Sequence, residues 1–453
     1  MSKLIYTGLN AGKGKITRVV GGKGVYFHLE DGRKVLDGSN TGGPLGHLHP
    51  RMVEAVQDAA GRCPVINEGW FWAEREQAAE DLINIAFKGE EDWIGGVRFF
   101  LSGSEANDLA LSFSQAYTGR TALATRERAY HGMTGLALHM TVQPHWHGGL
   151  SVADGNNSPV PRPYDVRILP PPVSAIYGGE EPPASMPEYL ANAADTLKET
   201  AATIIDYTQG GKYYLSEYQD TIAGAARKTG SLWIADEVIT GLGRHGSSMF
   251  AFQGGASRPD IVTLGKPVAG GAMPGGAVIL SKTIMDNMSD KSWQTYSTFR
   301  GNPMQVAAIR AYLRALEEEQ LLDNVQALEK VMHKQLLEIA EKHPSVYRVD
   351  GRGLHWTVEL HGPDWRDWQI ATAETPVASK VSDKALELGA MIGTSGEQTS
   401  LFLAPPLIMT EQELKQLLAI LDEALSVADS EYVRNQGQSQ SAQGEPNHVR
   451  QSR

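Results

Sequence analysis

Hydrophobic and polar positions along the chain switch repeatedly between an alternating and a helical spacing. Val25, Phe27 and Leu29 alternate ahead of Asp31-Gly32, so residues 24–37 predict a β-hairpin. Asp31-Gly32 there tolerates the positive φ of a tight primed turn. From about residue 51 to 87 the spacing is helical. Residues 97–101 form a short apolar run, after which Ala106, Leu109, Ala110, Phe113, Ala116 and Tyr117 share one helical face that Gly119 closes. Residues 232–235 and 260–264 read as further buried strands. Strands and helices in this alternation favour a parallel sheet covered on both faces.

Residues 159–187 hold nine of the 23 prolines. That density excludes a continuous helix or a central strand and predicts an irregular excursion, either at the rim of a site or as a plain surface loop. After Pro303 the spacing predicts a long helix, a second over 322–342, and paired strands around Asp350-Gly351. A last helix opens at Thr410, where Thr-x-x-Glu413 forms a capping box ahead of Leu414, Leu417, Leu418, Leu421 and Leu425. This helix–strand–strand–helix end reads as a smaller second domain. Beyond Asp429 the chain turns to Gln, Ser, Asn and charge, the composition of a disordered tail. No internal repeat is visible.

At 453 residues, 41% apolar and 21% charged, the chain can bury a large core. Its net charge of -12 argues against a partner bound through a phosphate backbone. Cys63 is the sole cysteine, so no internal disulfide forms and a reducing compartment fits. With no long apolar run and no secretion-signal core, the expected setting is the cytoplasm, away from membranes.

Three segments could carry chemistry. Ser102-Gly103-Ser104 lies between a strand and a helix, where first-turn N–H groups and the helix dipole favour an anion; a helix cap alone would also use these residues. The apolar run 232–235 ends in Asp236-Glu237, which puts an acid where open α/β sheets bind ligands. That run also resembles the metal-binding strand of P-loop ATPases, but no Gly-Lys-Ser/Thr segment accompanies it. Lys266 stands between an apolar strand and the glycine-rich segment 270–276. Burial there would lower its pKa and suit it to Schiff-base chemistry, whereas a solvated loop lysine would do nothing. Together, an anion cradle, an acid and a low-pKa lysine are what pyridoxal 5'-phosphate requires.

In order, the motifs Ser102-Gly-Ser-Glu-Ala-Asn107, Tyr130-His-Gly132, Asp236-Glu-Val-Ile-Thr-Gly-Leu-Gly-Arg244, Leu264-Gly-Lys266 and Thr298-Phe-Arg-Gly-Asn-Pro303 resemble those of the class III aminotransferases over about residues 20–425. Tyr117-Thr-Gly-Arg120 ahead of Tyr130-His-Gly is similar to the glutamate-1-semialdehyde aminomutase branch. The resemblance implies a pyridoxal-phosphate transferase of fold type I, an α/β protein with a mostly parallel seven-stranded sheet and a smaller α+β domain. It implies a large domain over 61–320, a small one built from 1–60 and 321–428, and a tail over 429–453. Lys266 would be the Schiff-base lysine and the proton carrier, and Asp236 would pair with the pyridinium. Tyr130 and Val238 would flank the ring, and Ser102, Gly103 and Ser104 would hold the phosphate. Thr298 would reach the cofactor of the second subunit in a homodimer. Substrates would be small amino acids and 2-oxo acids, with a D-aryl glycine such as D-phenylglycine as donor and 2-oxoglutarate as acceptor. An intramolecular aminomutase or a racemase would fit the same scaffold.

Departures from the family pattern matter too. Asp206-Tyr207 stands where the family has Glu-Pro, and Ile239 where several members have Gln. Phe402 replaces an arginine that many members use for the substrate carboxylate, leaving Arg300 or a backbone site to serve. His47-x-His49 and His145-x-His147 raise a metal-dependent hydrolase as a distant rival, with no carboxylates at persuasive spacing. Trp70, Phe71, Trp72 and Trp146 are candidates for a flat hydrophobic pocket, although core or interface roles are commoner.

Overall fold

The apolar runs assemble into one seven-stranded sheet, in the spatial order Ile94–Phe100, Gly276–Ser281, Ile261–Leu264, Leu232–Asp236, Thr200–Asp206, Ala122–Arg126 and Val166–Leu169. The structure, a computed structural model, describes residues 17–143, 146, 148–150, 158–169, 186–209, 212–213, 216–361, 375–396 and 398–433. Gly276–Ser281 pairs antiparallel with both neighbours, and the other pairings are parallel. The protein is thus an α/β protein with a mainly parallel sheet, as the alternation predicts. Thr200–Asp206 and Gly276–Ser281 are buried at every position, which explains their unbroken apolar character. Asp236 and Asp206 are register partners at the carboxyl ends of adjacent parallel strands.

Two four-stranded sheets flank this one. Val19–Lys23, Tyr26–Leu29 and Lys34–Asp37 are joined by Ala390–Met391, which runs parallel to Leu36-Asp37, so distant parts of the chain share a sheet. The other contains Val346–Arg352, His355–Leu360, Ser400–Leu403 and Gly393–Thr394.

Local details depart from the sequence pattern for identifiable reasons. The hairpin forms, but its turn is a three-residue loop. Gly32 N–H donates to Leu29 O at 3.0 Å, Leu29 N–H donates to Arg33 O at 2.9 Å, and Gly32 alone in the loop has positive φ, at 87°. A type I turn closed by a left-handed glycine therefore replaces the primed turn. The helical spacing over 51–87 is split into Pro50–Arg62 and Ala73–Asp81, because Pro64 forces Cys63 into an extended conformation. A single wider helical turn, Leu82–Ala86, ends the second piece. Within the proline-rich stretch, Val166–Leu169 is an edge strand and a helix starts at Met186; residues 170–185 lie outside those described.

The final helix, Glu411–Ala424, carries its capping box: Glu413 N–H donates to Thr410 Oγ1 at 3.3 Å and Thr410 N–H donates to Glu413 Oε2 at 2.9 Å. The chain is helical again over 426–433, past the expected start of the tail, and residues 434–453 lie outside those described. The extension is anchored. The His343 ring lies between Asp422 Oδ1 at 2.8 Å and Asp429 Oδ2 at 2.7 Å, and Ser345 Oγ donates to Asp429 Oδ1 at 2.6 Å. Among the described residues no helix is long and apolar enough to cross a membrane.

Burial alone would raise the Asp429 carboxyl, but hydrogen bonds from Ser345 and His343 outweigh it and hold the group below its ordinary range. A carboxyl depressed by folding stabilises the fold above its unfolded pKa and loses that contribution as pH falls through the folded value. Wild-type stability should therefore drop below about pH 4 more steeply than that of Asp429→Asn. Urea midpoints at neutral and acidic pH test this, and equal acid losses in the two proteins would contradict it.

Candidate active site

Gly103 opens the helix Gly103–Thr118 directly after the strand Ile94–Phe100. Ser102 Oγ accepts from Glu105 N–H at 3.1 Å and Glu105 Oε2 accepts from Leu101 N–H at 2.7 Å, so the cap is real. The anion cradle is compatible with it. Ser102 commits its hydroxyl to the cap, while first-turn N–H groups, which no helix can satisfy internally, and Ser104 remain at the cavity wall. Three glycines allow the close approach. A Cβ at Gly103 would lie 2.7 Å from Val238 methyls, one at Gly265 would lie 2.7 Å from Gly103 Cα, and one at Gly132 would lie 2.5 Å from Ser104 Oγ. Gly132 also has φ of 132°, which favours glycine.

Ser102, Gly103, Ser104, Tyr130, Asp236, Val238 and Lys266 all line one cavity of about 550 Å³. Thr298 does not. It is exposed on the segment 293–301, outside this chain's own cavity.

Asp236 is buried and held from three directions. Its Oδ2 lies 2.7 Å from His131 Nδ1 and accepts from Asn107 Nδ2 at 2.8 Å, while Oδ1 accepts from Val238 N–H at 3.0 Å. His131 Nε2 in turn lies 2.9 Å from Thr125 Oγ1. Glu237, the second acid of the pair, points away from the site. Its oxygens accept from Phe252 N–H at 2.8 Å and Thr240 Oγ1 at 2.5 Å, and burial, only partly opposed by these bonds, pushes its carboxyl up to about 7.

Lys266 is half-buried at the head of the short helix Lys266–Ala269 with a φ of 29°, a strained value for a residue with a side chain. Its Nζ lies 5.9 Å from the centre of the Tyr130 ring. Burial lowers the pKa of its amine, with Asp236 and Asp206 acting in the opposite direction. Asp206 lines the same cavity, pairs with Arg126 Nη2 at 2.9 Å and accepts from Tyr130 N–H at 3.4 Å. The replacement of Glu-Pro by Asp-Tyr thus leaves a buried ion pair beside the lysine.

Arg300, one candidate for the substrate carboxylate, is outside the cavity lining, with its Nε donating to Glu105 Oε1 at 2.8 Å. Phe402 sits 5.2 Å, ring to ring, from His355, whose Nδ1 is 3.4 Å from the Thr208 hydroxyl at the cavity wall. Burial, assisted by Arg244 and Lys266, pushes the His355 pKa down to about 3.

Of the candidate aromatics, Trp146 meets Tyr130 edge-on at 4.2 Å, while Trp70 and Phe71 are exposed away from the cavity lining. His47 turns to Asp37 at 3.2 Å and His49 to Glu319 at 3.2 Å, so the two do not converge. His145 and His147 lie outside the described residues. The roles of His131 and Asn107 are not legible from sequence alone. Asn107 stands one helical turn beyond Gly103 and His131 between Tyr130 and Gly132, so the signal lay inside the motifs without indicating the partner.

A cradle of N–H groups that added Cβ atoms would obstruct, a buried fixed carboxylate and a half-buried amine of lowered pKa fit a phosphorylated aldehyde cofactor with a basic ring nitrogen. The comparisons agree. Residues 10–425 match the family model "Aminotransferase class-III". An acetylornithine aminotransferase from Caldanaerobacter subterraneus is 30% identical over 84% of this chain and 87% of its own length. An isoleucine 2-epimerase from Lentilactobacillus buchneri is 28% identical over 88% of each chain. A solved S-selective transaminase from Arthrobacter sp. superposes with a TM-score of 0.85 at 26% identity, covering 95% of this chain and 96% of that one. The chain belongs to the class III aminotransferases, enzymes that work with pyridoxal 5'-phosphate.

Removing Asp206 takes away a charge that raises the Lys266 pKa and leaves Arg126 uncompensated, which acts in the same direction. The acidic limb of the kcat–pH profile should therefore move to lower pH in Asp206→Asn. An unchanged or upward-shifted limb would contradict the placement of Asp206.

Proposed function

We propose that this aminotransferase takes its amino group from a D-aryl glycine, D-phenylglycine fitting best, and passes it to 2-oxoglutarate, giving benzoylformate and L-glutamate. The observation that carries this reading is the cavity lining, which among the described residues includes no arginine, with His355 behind Thr208 and Phe402 against His355. Where many relatives place an arginine there is an aromatic ring, and the histidine beside it is uncharged at any working pH. Tyr207, Ile239 and Met273 add apolar surface to the cavity. A wall without fixed positive charge can receive an aryl group in one half-reaction and a neutral-donor contact in the other.

Bound pyridoxal phosphate supplies the electron-withdrawing ring that acidifies the substrate Cα–H. In this reading Asp236, fixed by His131 and Asn107, keeps the ring nitrogen protonated. Ser104 and the first-turn N–H groups hold the phosphate, with Ser102 shaping that turn. Tyr130 and Val238 flank the ring. Lys266 Nζ, whose pKa desolvation lowers, removes the Cα proton. A single amine reaches from one side only. A D-donor and an L-product both present Cα–H to it when carboxylate and side chain exchange places.

Chiral analysis tests the proposal: D-phenylglycine with 2-oxoglutarate should yield L-glutamate and benzoylformate in equal amounts. D-glutamate, or no turnover of D-phenylglycine, would refute it. The similarity to an isoleucine 2-epimerase favours an amino-acid racemase as the second reading, and that enzyme would interconvert enantiomers with no oxo acid present.

We also propose a cytoplasmic homodimer in which Thr298 reaches the partner's cofactor, with the large unit over 61–320 and the small one from 1–60 and 321–428. Trp70, Phe71, Tyr296 and Phe299 are each more than half exposed, an apolar surface of the kind that interfaces cover. Sedimentation should give a dimer, and Thr298→Ala should bind pyridoxal phosphate more weakly. A monomeric wild type, or unaltered binding in the variant, would count against this arrangement.

A further inference from the structure

We infer that Arg300 is a positioning residue that locks the first turn of the phosphate cradle to the segment 293–301. The inference rests on the cradle reading above. Arg300 is 4% exposed, and both its Nε and Nη2 lie 2.8 Å from Glu105 Oε1. Its Nη1 donates to Thr295 Oγ1 at 3.1 Å and lies 3.6 Å from Glu68 Oε1. The guanidinium carbon stands 4.7 Å above the ring of Phe100, the last residue of the strand that enters the cradle.

Glu105 is the hinge of the arrangement. One carboxylate oxygen receives Arg300, and the other receives Leu101 N–H, which fixes the chain just before Ser102. The cap at Ser102, the N–H groups that follow it and Ser104 therefore sit on a turn braced by a part-buried, charge-assisted pair.

The other end of the brace is equally fixed. Segment 293–301 has no helix or strand of its own. Glu68 Oε1 accepts from Ser297 N–H at 2.8 Å, and Arg98 donates to Glu68 Oε2 at 3.1 Å and to the carbonyls of Trp293 and Thr295 at 3.1 and 2.5 Å. Arg75 Nε donates to Gly301 O at 3.0 Å. Four contacts thus hold the loop in place, and Arg300 is the member that connects it to the cradle. The low exposure of Arg300 reduces screening of the pair by salt. The cradle turn cannot shift without displacing Arg300, and Arg300 cannot move without the segment that carries Thr298.

The consequence is measurable as affinity for pyridoxal phosphate, separately from turnover. Apo-protein titrated with pyridoxal phosphate, followed by absorbance, should bind on the order of tenfold more weakly in Arg300→Gln and in Glu105→Gln. The double variant should lose no more than either single one, because both break the same link. Arg300→Lys, which keeps the charge but loses the fork, should fall between wild type and Arg300→Gln. Thermal unfolding of each apo-protein separates this from a general loss of stability. With saturating cofactor, KM for 2-oxoglutarate in Arg300→Gln should stay within about twofold of wild type.

Ser104→Ala serves as the reference for the cradle itself. Weakened binding in Ser104→Ala with wild-type affinity in Arg300→Gln would overturn the inference alone. Unchanged affinity in both would overturn the cradle reading and the inference with it. Additive losses in the double variant, or a raised KM with cofactor affinity intact, would also overturn the inference, the latter by making Arg300 a substrate contact.

Discussion

A lysine amine removed from water is the constraint around which the rest of the site is organised. Lys266 lies half-buried just ahead of the glycine-rich crossing, in a conformation with positive φ that a side chain ordinarily avoids. Burying an ammonium without compensation costs several kcal/mol. Two responses are visible: the amine's pKa falls, and two carboxylates stand at adjacent strand ends facing the same cavity. The two act in opposite directions: desolvation favours the neutral, nucleophilic amine, and the carboxylates favour its protonated form.

The acids themselves need support in a low-dielectric setting. Asp236 draws it from His131, Asn107 and the Val238 N–H; Asp206 draws it from Arg126 and the backbone of Tyr130. These contacts span the helix after the first sheet strand, the Tyr130–Gly132 turn and three parallel strands. They meet because Gly103, Gly132 and Gly265 let neighbouring backbones pass closer than any Cβ would permit. Loss of a single methylene-sized gap would therefore disturb the charges as well as the packing.

Local chemistry was readable in the chain and long-range pairing was not. Ser-Gly-Ser after an apolar run, an acid ending a strand and a lysine before a glycine cluster each announce themselves within a few residues. The strand-helix alternation gave the mainly parallel sheet, but nothing in Gly276–Ser281 marks it as the antiparallel member, because a buried strand looks alike in either direction. Asp31-Gly32 signalled the hairpin while leaving its loop length open. Pro64 did mark the break in the 51–87 helical spacing, and periodicity alone overrode it. His131, Arg126 and Arg300 were opaque for a common reason: their partners lie 105, 80 and 195 residues away.

His355 and Phe402 stand behind Thr208 of the cavity lining, and the pair of Arg300 and Glu105 braces the turn that carries Ser102 and Ser104. Both arrangements matter only when the cofactor is attached at the Lys266 amine. Borohydride reduction of the holo-protein followed by peptide mass mapping tests that attachment directly. The account predicts one phosphopyridoxyl adduct per chain, on the peptide containing Lys266. An adduct on another lysine, or none on a fully active enzyme, would contradict it.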